Sequence, residues 1–116
     1  MENISIDETI RNTLCTESSE GQKVFELITS ALNERRTVHV SFQNVEIVTV
    51  GFLNAAIGQL YQYYSKEEIK SSVLIEHLSL SGAVILKHVV DRAKFDLQNK
   101  HSDDLQHKIN DILGEE

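Results

Sequence analysis

The spacing of apolar residues changes its period within residues 37–64, and this change constrains the fold more than any other feature of the chain. Over 37–42 apolar and polar residues alternate, as in a half-buried strand. A short apolar segment over 45–50 follows, and over 51–64 the spacing becomes helical. The apolar positions are Val38, Val40 and Phe42 in the strand, and Leu53, Ala56, Ile57, Leu60, Tyr61 and Tyr64 in the helix. We therefore predict two short strands and a helix entered through Thr49–Gly51, which we call the elbow.

The first third of the chain predicts one clear helix and one ambiguous segment. Apolar residues alternate at 4–6 and again over 9–15, which fits a hairpin of two short strands, although a helical turn over 8–14 fits as well. The helix that follows is expected to begin at a capping box over 19–22, formed by a serine and a glutamine three residues apart. It is expected to end at Arg35–Arg36, whose positive charges suit the negative end of the helix dipole.

The last part of the chain continues the alternation of strands and helices. A capped start at Ser65 predicts a short helix over 66–70, and the apolar run over 72–77 predicts a buried strand. Ser81 is expected to cap the next helix, and Ser102 the last one. The apolar residues predicted to form the stripe of this last helix are Leu105, Ile109, Ile112 and Leu113.

The order of these elements predicts an α/β fold. Strands that alternate with helices form parallel crossovers, and right-handed crossovers place the helices largely on one face of a small sheet. The acidic segment 99–116 carries a net charge of −3, from two lysines against five carboxylates. Its helix either packs on the core or docks a partner, and its regular apolar stripe favours packing.

Composition narrows the classes of partner and compartment. The net charge of −7 disfavours direct binding to a nucleic-acid backbone. No apolar run approaches the roughly 20 residues of a membrane helix, and the N-terminus lacks the pattern of a secretory signal. Cys15 is the single cysteine and cannot form a disulfide within the chain. We therefore expect a cytoplasmic protein of one domain that binds neither nucleic acid nor membrane.

Residues that support catalysis or metal binding are scarce. Cys15 precedes the first clear helix by several residues and has no evident activating base. His39 and His77 lie on predicted strands and could face each other, but no nucleophile accompanies them. The two histidines within 101–107 are too far apart for a strong metal-binding pattern. Glycine-rich phosphate loops and paired catalytic carboxylates are also lacking. We expect no enzymatic activity, no cofactor and no metal.

The elbow is the first candidate for a functional site. Gly51 at a helix start leaves backbone amides unshielded, and the positive end of the helix dipole favours an anion or an acidic partner side chain. Four residues of the following helix lie off its apolar stripe, namely Phe52, Ala55, Gln59 and Tyr63. This flank, with its two aromatic residues, is either an interface or the contact surface of a neighbouring helix.

The segment 38–61 resembles the STAS-type domain of anti-sigma-factor antagonists. More closely, it resembles the bacterial STAS-like domain of unknown function, in which the helix opens with Phe after a small residue. The resemblance covers about residues 20–100 and implies a STAS-like α/β fold with a small mixed β-sheet. It places a STAS-like domain at 1–100, with 101–116 as an amphipathic helix that belongs to it or is appended to it.

The resemblance also carries an expectation about the elbow. The antagonists have an Asp-Ser-Ser-Gly run there, whose second serine is phosphorylated by a partner kinase. That run falls on Thr49–Phe52, and Gly51 takes the place of the phosphorylated serine. A serine switch at this position is therefore excluded, and Thr49 is the remaining phosphate acceptor nearby. The resemblance implies a partner of the histidine-kinase type of ATPase.

The leading hypothesis is a non-enzymatic regulatory module that docks a protein partner. Its expected interaction face consists of Thr49, Gly51, Phe52, Ala55, Gln59 and Tyr63. One alternative is the binding of a small anionic ligand or a nucleotide at the same amides. Another is a homodimer formed through a strand edge or the C-terminal helix.

Overall fold

The computed structural model describes residues 2–95, and the predictions made for 96–116 lie outside that range. The strands are β1 (Glu2–Ser5), β2 (Leu14–Cys15), β3 (Val38–Ser41), β4 (Ile47–Val48) and β5 (Val73–Glu76). The α-helices are α1 (Ile6–Ile10), α2 (Ser18–Asn33), α3 (Val50–Ala56), α4 (Lys66–Ser72) and α5 (80–95), and a 3₁₀-helix spans Gly58–Gln62. The predicted α/β class is confirmed.

The strands form two parallel sheets. The larger sheet has the order β1-β3-β5, and the smaller sheet pairs β2 with β4. The predicted N-terminal hairpin is wrong, because β1 and β2 belong to different sheets and α1 separates them. The alternative prediction, a helical turn over 8–14, is closer to the structure, although α1 begins earlier, at Ile6. Arg11 ends α1 in a left-handed conformation (φ 55°), and its N–H bonds the carbonyl of Asp7.

The core lies against one face of the larger sheet. Ile4, Val40 and Ile75 occupy equivalent register positions on β1, β3 and β5, and the first two are buried. Asn3 and Leu74 point to the other face, where both are exposed. Because side chains alternate along a strand, this division gives the sheet one apolar face. This single apolar face agrees with the prediction that the helices lie largely on one face of the sheet.

The two ends of α2 differ from the sequence prediction in how they are formed. The predicted capping box does not form: the helix begins at Ser18, and its N-cap Glu17 makes no side-chain capping bond. At the other end, Arg35 adopts a left-handed conformation (φ 60°). Its N–H donates to the carbonyl of Leu32, while the N–H of Arg36 donates to that of Ala31. These two backbone bonds form a Schellman motif, which ends the helix.

The capped start of α4 is confirmed, whereas that of α5 is displaced. Ser65 and Glu68 form a complete capping box. In α5 the capping side chain is Ser79 and not Ser81, since the Ser79 hydroxyl accepts from the N–H of Gly82 at 3.1 Å. The helix therefore begins about one half-turn earlier than predicted.

The helix predicted over 51–64 is divided in two. Helix α3 ends at Ala56, and the chain continues as the 3₁₀-helix. The division occurs at Ile57, directly before Gly58, which is a poor helix former. A Cβ atom on Gly58 would lie 3.2 Å from Cγ1 of Val89, so α5 packs against this bare backbone. The predicted apolar stripe is nevertheless confirmed, because its residues from Leu53 to Tyr61 are all buried.

Candidate functional site

The elbow is held in place by Thr49. Its hydroxyl donates to the carbonyl of Cys15 at 3.1 Å and accepts from the N–H of Phe52 at 3.3 Å, which caps α3. The backbone N–H of Thr49 donates to the same carbonyl of Cys15, also at 3.1 Å. Thr49, which directly follows β4, is therefore bonded both to β2 and to the start of α3. A phosphate on this hydroxyl would remove the bond that it donates to Cys15.

Phe52 does not lie on an exposed flank, so this part of the predicted interaction face is wrong. Its side chain is 0% exposed and belongs to the core. Phe52 directly precedes Leu53 of the apolar stripe, and both side chains are buried in the same core. A wide apolar face is common on helices that contact more than one neighbour.

The rest of the flank is covered mainly by α2. A Cβ atom on Gly21 would lie 2.4 Å from the carbonyl oxygen of Phe52 and 2.9 Å from Cβ of Ala55. The two helices can approach this closely only because residue 21 has no side chain. One turn further on, the Gln59 amide donates to Gln22 Oε1 at 2.6 Å and to the Ala55 carbonyl at 2.7 Å.

Tyr63 is the one member of the predicted flank that is largely exposed, at 65%. Its ring contacts that of Phe25 on α2, with a centroid distance of 5.9 Å and an interplanar angle of 50°. Tilted aromatic pairs of this kind stabilise a helix contact modestly. Tyr63 therefore lies at the rim of the α2–α3 contact.

Partly exposed apolar side chains occur instead on the three elements that meet at the elbow, β2, β4 and α3. Leu14 and Ile47 are register partners on β2 and β4, and they are 39% and 50% exposed. Val50 opens α3 and is 52% exposed. Next to it, Gly51 is exposed, and a Cβ atom there would have no described neighbour within 4 Å. We call Leu14, Ile47, Val50 and Gly51 the elbow surface.

Leu14, Ile47 and Val50 are not among the predicted site residues, although the sequence carries a signal for the first two. In each short strand the second residue, Cys15 or Val48, points inward and the first points outward. Strand alternation predicts this arrangement once both segments are recognised as strands. Because the segment over 45–50 also fits a continuous apolar run, the alternation of inward and outward side chains is not evident from the sequence.

A polar crevice of about 310 Å³ lies beside Val50, between α3 and α5. Asn54 lines it from α3, while His88 and Arg92 line it from α5. The side chains of Asn54 and His88 can donate hydrogen bonds. This edge of the elbow surface therefore has polar side chains beside the apolar Val50.

The thiol of Cys15 lies beneath the elbow surface and is not activated. Its side chain is 0% exposed. Burial raises the pKa of the Cys15 thiol to about 11, and the nearby carboxylates of Glu20 and Asp7 act in the same direction. A thiol of this kind stays protonated at neutral pH and is a poor nucleophile.

The two strand histidines do not face each other. His39 is on β3, and its Nδ1 lies 2.9 Å from Oε2 of Glu76 on β5. His77 follows β5 in a left-handed conformation (φ 59°) and is exposed. Among residues 2–95, no cluster of three or more histidine, cysteine or acidic side chains has a geometry that holds a metal ion. The histidines within 101–107 lie outside this range.

The helices described between residues 2 and 95 include none that is both long and apolar enough to cross a bilayer.

Comparison with known proteins identifies one family. The model of the STAS-like domain of unknown function (DUF4325) matches residues 20–83, which is more than half of the chain. The matched range begins in α2, contains the elbow and ends in α5. No curated protein and no solved structure matches the chain. The parallel α/β fold and this match together show that the chain belongs to the family of STAS-like domains of unknown function.

Proposed function

We propose that this protein is a non-enzymatic regulatory module that docks a protein partner through the elbow surface. The observation that carries the proposal is the group of three half-exposed apolar side chains, Leu14, Ile47 and Val50, next to the bare backbone of Gly51. Single exposed apolar residues are common on protein surfaces, but neighbouring ones that border a polar edge are typical of interaction sites.

The surface is suited to docking because its backbone is fixed before a partner arrives. The parallel pairing of β2 with β4 places Leu14 beside Ile47. The Thr49 hydroxyl fixes the start of α3 and with it Val50. A surface that is already ordered loses little conformational entropy on binding. Covering the exposed half of each apolar side chain would contribute about 1 kcal/mol per residue.

The partner that we propose is an ATPase of the histidine-kinase type. The support for this class is the family relationship together with the resemblance of the elbow to that of the anti-sigma-factor antagonists. The crevice beside Val50 adds polar side chains, those of Asn54 and His88, at the edge of the apolar contact. Because Gly51 has no hydroxyl, docking in this protein is independent of phosphorylation at that position.

The alternative of an anionic ligand at the helix start has weaker support. Helix α3 has only seven residues, and the hydroxyl of Thr49 already accepts from the N–H of Phe52. A helix this short has a small dipole, and one of its free amides is satisfied. Thermal shift measurements with nucleotides and inorganic phosphate test this alternative, since a ligand of the folded state raises the unfolding midpoint.

The docking proposal is tested with Val50→Asp, in a binding titration against purified ATPases of the histidine-kinase type. The new carboxylate would be buried against apolar partner groups, so we expect at least a tenfold loss of affinity, about 1.4 kcal/mol. Aspartate suits the first turn of a helix, so the fold should be preserved. Phe52→Asp would be uninformative here, because Phe52 is in the core.

Leu27→Asp is the matched control for this titration. Leu27 is an apolar residue on α2 that is exposed to a similar extent, at 45%, and it lies away from the elbow surface. We expect its affinity to equal that of the wild type. Equal affinities for wild type, control and Val50→Asp would contradict the proposed docking surface. Failure of the wild type to bind such ATPases would contradict the proposed partner class.

A further inference from the structure

An apolar groove lies on the side of the molecule formed by the 3₁₀-helix, α4, β5 and α5. Its volume is about 560 Å³, which is larger than the crevice at the elbow. The apolar side chains that line it include Tyr61, Ile69, Val73, Ile75, Leu86 and Val90. Val73 and Ile75 project from the core face of β5, so the groove is a gap in the layer of helices over the sheet.

Positive charge surrounds this groove. Lys66 and Lys70 line it from α4, and Lys94 lines it from α5. Among the described residues of its lining, Glu67 is the single acidic one. The Lys94 ammonium lies 5.8 Å from the centroid of the Tyr61 ring, at the groove wall. Within residues 2–95, neither Lys66 nor Lys70 forms an ion pair. A groove with a positive rim in a chain of net charge −7 indicates an acidic, amphipathic occupant.

We infer that the occupant is the C-terminal segment of the same chain, within residues 99–116. This segment has a net charge of −3. Its residues 105, 109 and 112 are Leu, Ile and Ile, at the spacing of one helical stripe. On such a helix Asp104 and Asp111 share one side, which lies more than about 100° from the middle of the stripe. The segment thus combines an apolar stripe for the groove with a net negative charge that the lysines attract.

The connection is short enough for binding within one chain. Lys94 lines the groove, and the described part of α5 reaches residue 95. Only the six residues 96–101 separate this point from the predicted start of the last helix, and six residues span at most about 20 Å. A segment tethered at the edge of its binding site experiences a high effective concentration, in the millimolar range for a short linker. Its own chain therefore has an advantage over an outside partner.

Cross-linking tests this inference in the full-length chain. Glu67→Cys places a thiol at the groove and keeps its three lysines, and Gln106→Cys places one in the segment without changing its acids or its apolar stripe. A short bis-maleimide is applied at low protein concentration, and the linked peptides are identified by mass spectrometry. The native thiol of Cys15 does not compete, because it is buried. We expect a cross-link within one chain.

Lys23→Cys combined with Gln106→Cys is the matched control, since Lys23 is an exposed lysine on α2 that does not line the groove. The yield within one chain should be at least about fivefold higher for the groove pair than for the control. Adding Lys66→Glu and Lys94→Glu to the groove pair should bring its yield close to that of the control.

Three outcomes would overturn the inference. They are equal yields for the two cysteine pairs, a cross-link between two chains, and a yield that does not respond to the charge reversals. The experiment involves no partner protein, so its result is independent of docking at the elbow.

Discussion

Helix α3 has two unlike sides, and the contrast between them locates the candidate site. On one side Gly21 brings the backbone of α2 so close that a Cβ atom would lie 2.4 Å from the Phe52 carbonyl oxygen. On the other side Val50 is 52% exposed, and at the start of the helix a Cβ atom on Gly51 would have no described neighbour within 4 Å. The first side is a closed helix contact, and the second is the elbow surface.

This contrast shows what a helical wheel leaves undecided. A wheel separates the apolar stripe from its flanks, but it does not say which flank a second helix covers. Here the flank with Ala55 and Gln59 is covered by α2, and Phe52 is buried with the stripe. The surface that stays open includes residues from β2 and β4, which come from two other parts of the chain.

Removing the ring of Phe52 should have the largest effect on stability. Phe52→Ala leaves a cavity in the core, and we expect the free energy of unfolding to fall by about 3–5 kcal/mol. The same truncation at the rim, Tyr63→Ala, should cost less than about 1 kcal/mol, because Tyr63 is 65% exposed. Urea denaturation measures both. Similar losses of unfolding free energy for the two variants would contradict the difference in burial between Phe52 and Tyr63.

Replacing Gly21 by alanine and replacing Gly51 by alanine should change the free energy of unfolding in opposite directions. Gly21→Ala forces α2 away from α3, and we expect a loss of about 1–3 kcal/mol despite the better helix propensity of alanine. Gly51→Ala meets no neighbour and should stabilise the protein by about 0.5–1 kcal/mol. Thermal unfolding of the two variants in one buffer gives the comparison. A stabilising Gly21→Ala would show that the helices do not approach each other this closely.

The thiol of Cys15 should make the free energy of unfolding fall as the pH rises through the alkaline range. Its pKa is about 11 in the folded protein against an ordinary value of 9.0, so the unfolded chain loses the thiol proton first. Stability from this group is therefore complete below about pH 9 and is lost as the pH rises towards 11. Denaturation at several pH values should show a steeper decline for wild type than for Cys15→Ala. Parallel curves would contradict the closed environment beneath the elbow.

Val50→Asp should have the smallest effect on stability, although it is expected to weaken partner binding most. Val50 is half-exposed and lies in the first turn of α3, where a carboxylate suits the helix dipole. We expect the free energy of unfolding to change by no more than about 0.5 kcal/mol. A loss well above this, measured in urea, would place Val50 in the core and would remove it from the elbow surface.

Much of the local structure was predictable because its causes are local. The alternation of Val38 and Val40 marked β3, and the capping box at Ser65 marked the start of α4. The errors occurred where a contact distant in sequence decides the outcome. Strand β1 pairs with β3 and not with a neighbouring hairpin strand, since the apolar side of Ile4 is buried beside Val40. A parallel pair leaves no turn signal in the sequence between its strands.

The candidate site was predictable in position but not in composition. The change of period and the glycine after Thr49 located the elbow, because strand and helix periods are properties of the chain itself. Leu14 and Ile47 were missed, since their proximity depends on the pairing of β2 with β4.

Three features follow from the order of the residues alone: the α/β alternation, the apolar stripe of the helix after the elbow, and the lack of a hydroxyl at Gly51. Local periodicity and residue chemistry are sufficient for these three. Which side of α3 is open depends on how the helices pack. That depends on α2, whose Gln22 reaches Gln59 across 37 residues of chain and whose Gly21 permits the close approach. The physical reason is packing: two helices cover each other where the side chains between them are smallest, and the surface left uncovered becomes available to a partner.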